Sequence, residues 1–118
     1  MIVGELRWVD LPARGGHAQS GRRPAIVVQS ERAATRLPTV LIVPLTSSVD
    51  ALRFPGTVLV EPDSQNGLRR SSVALVFQLT ALDRRFLSDR LGNVSANVLT
   101  EIWSALDELT GRNRRAGE

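Results

Sequence analysis

The spacing of apolar residues predicts several short strands followed by one helix. Several apolar stretches rich in β-branched residues are too short to be helices. Residues 95–110, in contrast, have apolar positions at helical spacing, with a Ser cap at the start and a Gly stop directly after the end. No helices alternate with the strands, so the pattern favours a small, strongly bent sheet or barrel closed by the terminal helix. The predicted strands are 5–11, 25–29, 40–45, 56–61 and 72–77.

Two of these strands place polar groups where they could act together. The strands at 25–29 and 40–45 are apolar on both faces, which is typical of central strands, although Pro44 predicts a bulge or an edge in the second. Arg23 precedes the first strand and Thr46 follows the second, so neighbouring antiparallel strands would bring both to one rim. A guanidinium and a hydroxyl there suit a phosphate diester, because guanidinium donates two parallel hydrogen bonds to phosphate oxygens.

The connections between the strands are polar. Residues 12–22 contain three glycines and His17, the only side chain whose unperturbed pKa lies near neutrality. A loop of this length in a small domain is often functional. We expect another flexible loop at 47–56, a hairpin turn at Asn66-Gly67, and a short turn capped by Asp83.

Side-chain chemistry adds expectations about burial. Glu5, Asp10 and Glu61 occupy positions that predict solvent-facing strand residues, which argues against a catalytic carboxylate among them. Trp8 is expected in the core rather than at a ligand. The same is expected of most of the other aromatic residues, which are Phe54, Phe77, Phe86 and Trp103.

Composition restricts the chemistry more than the fold. The 118 residues predict one domain, which we place at 1–111, followed by a disordered tail at 112–118. There is no cysteine and only one histidine, which excludes disulfides and Cys-based or multi-His metal sites. No nucleotide-binding motif is present, so we expect no cofactor. Without a signal peptide or an apolar run of about 18 residues, we expect a cytoplasmic protein that does not enter a membrane.

The basic residues leave two interpretations open. All 15 are arginine, against 12 acidic residues, which gives a formal net charge of +3. Arginine without lysine is compatible with a base-composition effect or with a nucleic-acid surface. Several arginines lie in predicted loops, where Arg14, Arg22 and Arg53 could contact phosphates.

Three segments and the closing helix carry a family resemblance. They read GELRWVDLPARGGHAQSGRRPAIVVQS, LPTVLIVPLTSS and SSVALVFQLTALDRRFL. Together they resemble the MazF/PemK family of toxin endoribonucleases from Gly4 to about Leu109. The most specific parts are GRRP followed by an apolar strand and the PLTS turn at the matching distance.

The resemblance implies both a fold and an activity. The fold is an SH3-like barrel of the kind shared by MazF, Kid and CcdB, assembled as a homodimer and blocked by a MazE-like antitoxin peptide. The activity is metal-independent cleavage of single-stranded RNA by the substrate's own 2′-hydroxyl. The family's catalytic pair falls on Arg23 and Thr46, and its groove glutamine falls on Gln78. The other expected substrate-binding residues are Gln19, Arg22, Ser47, Arg14 and Arg53.

Three positions depart from the family pattern. Ala18 stands where family members commonly have glutamate, which leaves His17 as the remaining candidate for the general base. Leu75 and Phe77 replace the Arg and Asp on which the Kid-like branch relies, so that branch's mechanism cannot operate. Ser71 replaces a common aspartate, a change we associate with base preference.

Two other functions remain compatible with the sequence. A CcdB-like protein of the same fold would inhibit a topoisomerase or another protein without cleaving RNA, although it would not need Arg23 and Thr46. A toxin homologue that had lost catalysis through Ala18 would act as an antitoxin or a protein partner.

Overall fold

A computed structural model of the chain describes residues 2–13, 16 and 20–112. The described chain is mainly β with a C-terminal helix, and neither of its α-helices is long and apolar enough to cross a membrane. The strands are β1 Glu5–Leu11, β2 Gly21–Val27, β3 Thr39–Thr46, β4 Thr57–Val60, β5 Ser72–Leu75, β6 Thr80–Asp83 and β7 Leu87–Asn93. The helices are α1 Glu31–Ala34 and α2 Ala96–Thr110, with 3-10 turns at Val49–Arg53, Val76–Gln78 and Arg84–Phe86.

The strands form one antiparallel sheet in the order β4-β5-β3-β2-β1-β7, with β6 beside the first half of β3. Strand β3 pairs with β6 from Thr39 to Ile42 and then with β5 at Leu45 and Thr46. This change of partner brackets Pro44, which has no N–H to donate to either strand. The irregularity that the sequence predicts at Pro44 is therefore a division of the sheet, which gives it its barrel-like bend.

Apolar residues fill two clusters on opposite faces of the sheet. Ile26 belongs to the cluster under α2, whereas its neighbours Ala25 and Val27 belong to the other. Strand β2 is thus buried on both faces, as the sequence predicts. Helix α2 covers the first cluster with its fully buried Ile102, and the Ser95 hydroxyl caps it.

Several local predictions were wrong. Strands β6 and β7 were both missed. Strand β7 carries two charges and lacks regular apolar alternation, and it pairs with β1 through register shifts. The segment expected to be a flexible loop contains the 3-10 turn Val49–Arg53. The turn capped by Asp83 is confirmed, since its carboxylate accepts a hydrogen bond from the Arg85 N–H.

None of the aromatic side chains is fully buried, although Phe86 packs against the second cluster. Trp8 and Phe86 are half-buried, and the other three are exposed by about two fifths, so the expectation of a partly aromatic core was wrong. Aliphatic side chains supply the buried volume instead. The exposed three are Phe54, Phe77 and Trp103.

Glu5 also differs from its predicted solvent-facing position, because it is 5% exposed. Its carboxylate accepts hydrogen bonds from the Ile2 N–H at 3.1 Å and from Arg7 Nε at 2.6 Å. Burial raises the pKa of the Glu5 carboxyl, but these hydrogen bonds and the Arg7 charge outweigh it, so that the pKa lies below its ordinary value.

We predict that Glu5→Gln flattens the acid dependence of stability. A lowered folded-state pKa stabilises the fold above the unfolded value of about 4.3, and this contribution is lost as the pH falls through the folded value. The variant should be less stable than the parent at pH 7 by about 1–2 kcal/mol, with the difference shrinking towards pH 3. Urea unfolding at both pH values measures this; a constant difference would contradict it.

Candidate functional site

Strands β2 and β3 bring Arg23 and Thr46 to the same rim of the sheet. Their pairing sets Ala25 opposite Pro44, so that Arg23, two residues before Ala25, and Thr46, two residues after Pro44, lie at the same end of the two strands. Both residues line a cleft of about 590 Å³, the first cleft. The sequence therefore predicted the position of this pair, because antiparallel neighbours place the start of one strand beside the end of the next.

Thr46 is held in place but keeps a donor. It is 8% exposed, and its Oγ1 accepts a hydrogen bond from the Ser48 N–H at 3.2 Å. Its hydroxyl donates no hydrogen bond to another residue in the part of the chain that the structure describes. A fixed, β-branched hydroxyl with an available proton can donate to a phosphate oxygen.

Arg23 offers an unpaired positive charge. Its side chain is half-buried, and Nε donates to the Ser20 carbonyl at 3.3 Å, which orients the guanidinium. None of the described carboxylates lies within ion-pair distance of it. An arginine without an ion-pair partner can stabilise the negative charge of a bound phosphate, because no salt bridge has to break first.

Trp8 and Arg22 form one wall of the first cleft. The Arg22 guanidinium lies over the Trp8 ring, 5.0 Å from its centroid, and 3.9 Å from the Asp10 carboxylate. Arg22 and Asp10 are both about half exposed, so this ion pair is weak and can be exchanged for a phosphate. Trp8 supports a cationic wall, which corrects its predicted core role.

A second cleft, of about 560 Å³, is also lined by Thr46. The rings of Phe54 and Phe77 meet there edge to face, with 5.9 Å between their centroids. The Arg53 guanidinium lies 4.7 Å from the Phe54 ring centroid. Gln78 also lines this cleft. Since Thr46 lines both clefts, they meet at its side chain. The second cleft thus combines aromatic surface with a polar amide.

The connection between β4 and β5, residues 61–71, supplies residues that sequence reasoning missed. Arg69 and Arg70 line the first cleft together with Arg22 and Arg23. The signal in the sequence is the Arg pair that follows Asn66-Gly67. With a two-residue hairpin turn at Asn66-Gly67, however, this Arg pair would not have been expected at the first cleft. The predicted hairpin is confirmed by the antiparallel pairing of β4 with β5, but its two-residue turn was wrong, because the strands are joined by all eleven residues of 61–71.

A buried asparagine folds this connection. Asn66 is 1% exposed, and its side-chain amide donates to the Glu61 carbonyl at 2.8 Å. Its Oδ1 accepts from the N–H groups of Leu68 at 2.9 Å and Asp63 at 3.3 Å. A single amide therefore satisfies three backbone groups and fixes the loop internally.

Two glycines dock the connection against β7. A Cβ at Gly67, where φ is +73°, would lie 2.3 Å from the Leu91 carbonyl oxygen. A Cβ at Gly92 would lie 2.1 Å from the Gln65 carbonyl oxygen, which accepts a hydrogen bond from the Asn93 N–H at 2.9 Å. Such close backbone contact is open only to glycine. The arginine-bearing connection is therefore fixed to the sheet.

The remaining predicted residues have mixed outcomes. Ser47 lines the first cleft. His17, Gln19 and Arg14 lie outside the described residues, as do 113–118 of the predicted tail. Arg112 of that tail is described and donates to the Asp107 carboxylate at 2.6 Å. The described residues include no group of three or more His, Cys, Asp or Glu that could hold a metal ion.

Comparison with known proteins connects this geometry with one family. Residues 2–110 match the family of the PemK-like, MazF-like toxin of type II toxin-antitoxin system. The chain is 35% identical over 99 residues to Endoribonuclease MazF2 of Mycobacterium bovis, covering 83% of this chain and 86% of that protein. The crystal structure of MazF from Deinococcus radiodurans superposes with a TM-score of 0.81 at 29% identity, covering 94% of this chain and 96% of that one.

A MazE-MazF crystal structure from Deinococcus radiodurans matches as well. Its TM-score is 0.73 at 27% identity, covering 96% of this chain and 97% of that one. These matches confirm the family resemblance and the barrel-like fold that the sequence predicts. The chain belongs to the PemK-like, MazF-like toxins of type II toxin-antitoxin systems.

Proposed function

We propose that this protein is a toxin endoribonuclease that cleaves single-stranded RNA at short sequences without a metal ion. The observation that carries the proposal is that Arg23 and Thr46 line the same cleft and that Thr46 also lines a second one. The relatives named as endoribonucleases support the same activity. Single-stranded RNA fits because its unstacked bases and its phosphates can enter separate clefts.

The reaction is an in-line displacement at phosphorus. A base takes the proton of the 2′-hydroxyl as the 2′-oxygen forms a bond to phosphorus. The bond to the 5′-oxygen breaks, and that oxygen takes a proton from the protonated base or from water, which leaves a 2′,3′-cyclic phosphate and a 5′-hydroxyl. Arg23 stabilises the negative charge on the phosphorane. Because its guanidinium stays protonated, it can also donate a hydrogen bond to the leaving 5′-oxygen. Thr46 donates to a non-bridging oxygen or orients the 2′-hydroxyl.

His17 is our candidate for the base that removes the 2′-proton. Its unperturbed pKa of about 6.5 suits the task, and Ala18 has replaced the family's glutamate. We predict that His17→Ala slows cleavage about 10²-fold and removes the acidic limb of the pH-rate profile. His17→Gln, which retains hydrogen bonding but not titration, is the control. An acidic limb that does not move in either variant would assign the base elsewhere.

Substrate binding follows the two clefts. Gln78 of the second cleft reads a base edge, Arg22 of the first cleft holds one phosphate and Arg53 of the second holds another. The family pattern adds three residues to this surface, which are Arg14, Gln19 and Ser47.

The biological setting follows from the family. We propose a homodimer in the cytoplasm, inhibited by an extended MazE-like antitoxin peptide. A related toxin from Deinococcus radiodurans has been crystallised with MazE. An extended acidic peptide is suited to a surface that carries several arginines.

The activity is tested by incubating the purified protein with a long single-stranded RNA in the presence of EDTA. We expect discrete fragments that end in 2′,3′-cyclic phosphate and begin with 5′-hydroxyl. An intact RNA would contradict the proposal and favour a toxin that binds a protein target without cleaving RNA.

We predict that Thr46→Val lowers the cleavage rate about 10–100-fold without unfolding the protein. Valine keeps the shape and β-branching of threonine but removes the hydroxyl that donates to the phosphate. Thr46→Ser, which restores a hydroxyl, should recover most of the rate in the same single-turnover assay. Equal rates for the valine and serine variants would show that the hydroxyl has no part in the reaction.

A further inference from the structure

The first cleft has a charge distribution that the catalytic pair does not explain. Four arginines line it, and none of the described residues that line it is acidic. Arg23 is assigned to the reacting phosphate, and Arg22 is partly balanced by Asp10 at 3.9 Å. Arg69 and Arg70 have exposed side chains and no ion pair within the described part of the chain. Two unbalanced cations therefore face this cleft.

Rigid placement distinguishes this pair from ordinary surface arginines. Arg69 and Arg70 follow the Asn66 hydrogen-bond network and the close backbone contact at Gly67, both described above. The Ser72 hydroxyl also donates to the Arg70 carbonyl at 3.2 Å. A cation on a fixed backbone loses less conformational entropy when it binds a phosphate than a cation on a free loop.

The two clefts also differ in kind. The second cleft contains Phe54, Phe77 and Gln78, and its lining arginine, Arg53, is accompanied there by the carboxylate of Asp50. Aromatic faces and an amide suit a base, whereas guanidinium groups without carboxylates suit phosphates. Since the clefts meet at Thr46, an RNA strand that crosses this residue would present several phosphates to the first cleft and a base beside one phosphate to the second.

We propose that Arg69 and Arg70 are substrate-binding residues that hold consecutive RNA phosphates on the first-cleft side of the scissile bond. This inference rests on the proposed function, because it places the scissile phosphate between Arg23 and Thr46. It divides the substrate site into a first cleft that holds several phosphates and a second cleft in which a base is read beside the phosphate held by Arg53. Arg69 and Arg70 contribute affinity that is independent of sequence, whereas the second cleft contributes specificity.

The test uses a single-stranded 2′-O-methyl RNA of mixed sequence. This probe has no 2′-hydroxyl to react, so it reports binding whether or not the protein cleaves RNA. The dissociation constant is measured between about 0.05 and 0.3 M salt for the parent and for a variant with Arg69→Ala and Arg70→Ala. Each phosphate contact in a single strand contributes about 0.7 to the slope of log affinity against log salt, so the variant should lose about 1.4. Its affinity near 0.1 M salt should fall about tenfold or more.

The chain offers a matched control in Arg84 and Arg85. This second arginine pair follows β6, whose Asp83 pairs with Thr39 at the opposite end of β3 from Thr46. The eight residues of β3 separate the two ends by about 23 Å at about 3.3 Å per residue. Changing Arg84 and Arg85 to alanine removes the same charge, and we expect it to leave the salt slope within about 0.3 of the parent.

A charge-retaining variant separates binding from folding. Arg69→Lys with Arg70→Lys should keep the parent's slope, because lysine still neutralises a phosphate. Three results would each overturn the proposal. The parent and the Arg69/Arg70 alanine variant could show equal salt slopes, or the two alanine pairs could lose the same amount of salt slope. The third result is that the parent does not bind the probe. If the alanine variant keeps the RNA slope but loses binding of an acidic peptide, the pair serves a protein partner and the proposal is wrong.

Discussion

Replacing Arg23 with alanine should lower the rate of RNA cleavage by about 10²–10³-fold, the usual effect of removing a charge-stabilising donor from a reacting centre. The phosphorane carries more negative charge than the bound diester, so Arg23 stabilises the transition state more than the substrate. Single-turnover rates at saturating protein measure this directly. Binding of an uncleavable RNA should weaken far less than the rate falls.

The same substitution should leave the fold intact. Arg23 makes no ion pair with a described residue, and its hydrogen bond to the Ser20 carbonyl, at 3.3 Å, is exposed. We expect the free energy of unfolding to change by less than about 1 kcal/mol. Arg84→Ala is a matched control, because Arg84 Nε also donates to a backbone carbonyl, that of Leu37 at 3.1 Å, outside the clefts. Cleavage by Arg23→Ala at the rate of Arg84→Ala would remove Arg23 from the mechanism.

The second large effect is on stability. Gly92→Ala should lower the free energy of unfolding by about 2–3 kcal/mol, because the new methyl group would lie 2.1 Å from the Gln65 carbonyl oxygen. That oxygen belongs to backbone rather than to a flexible side chain, so the 61–71 connection must move away from β7. The hydrogen bond from the Asn93 N–H to Gln65 would then weaken as well.

Gly111→Ala is the control for the glycine prediction. Gly111 ends α2 with φ +76°, but a Cβ there meets no atom within 4 Å, so only the conformational cost of about 1 kcal/mol applies. Chemical denaturation should therefore rank the parent first, Gly111→Ala second and Gly92→Ala last. If Gly92→Ala matches the parent, the connection is not held against β7 by this contact.

Displacement of the connection has a functional consequence. If Arg69 and Arg70 depend on the docked loop for their position, Gly92→Ala should also reduce the salt dependence of RNA binding. The reaction at Arg23 and Thr46 depends on β2 and β3 instead, so the chemical step should be less affected. This separates substrate binding from catalysis along two parts of the sheet.

The position of the proposed catalytic pair could be predicted from sequence because local rules were sufficient. Two doubly apolar strands had to be central, and antiparallel pairing then placed Arg23 beside Thr46. Helix α2 was equally accessible, since Ser95 and Gly111 provide the expected cap and stop.

The rest of the site depends on long-range packing that no local pattern reveals. Leu87–Asn93 becomes a strand because β1 offers it an edge, not because of its own alternation. Asn66-Gly67 has the composition of a hairpin turn, yet the buried Asn66 and the contact of Gly67 with Leu91 fold it back on that strand. The cationic first cleft follows from this docking, so its arginine pair could not be assigned in advance.

The central claim is that the substrate's own 2′-hydroxyl attacks the phosphate held by Arg23 and Thr46. The most direct measurement uses an RNA containing one mapped cleavage site, in which the nucleotide on the 5′ side of the cut carries a single 2′-deoxy substitution. We expect the wild-type protein to bind this RNA within a few fold of the all-ribose strand and to leave that bond intact. Cleavage of the substituted bond at the all-ribose rate would show that the 2′-hydroxyl is not the nucleophile.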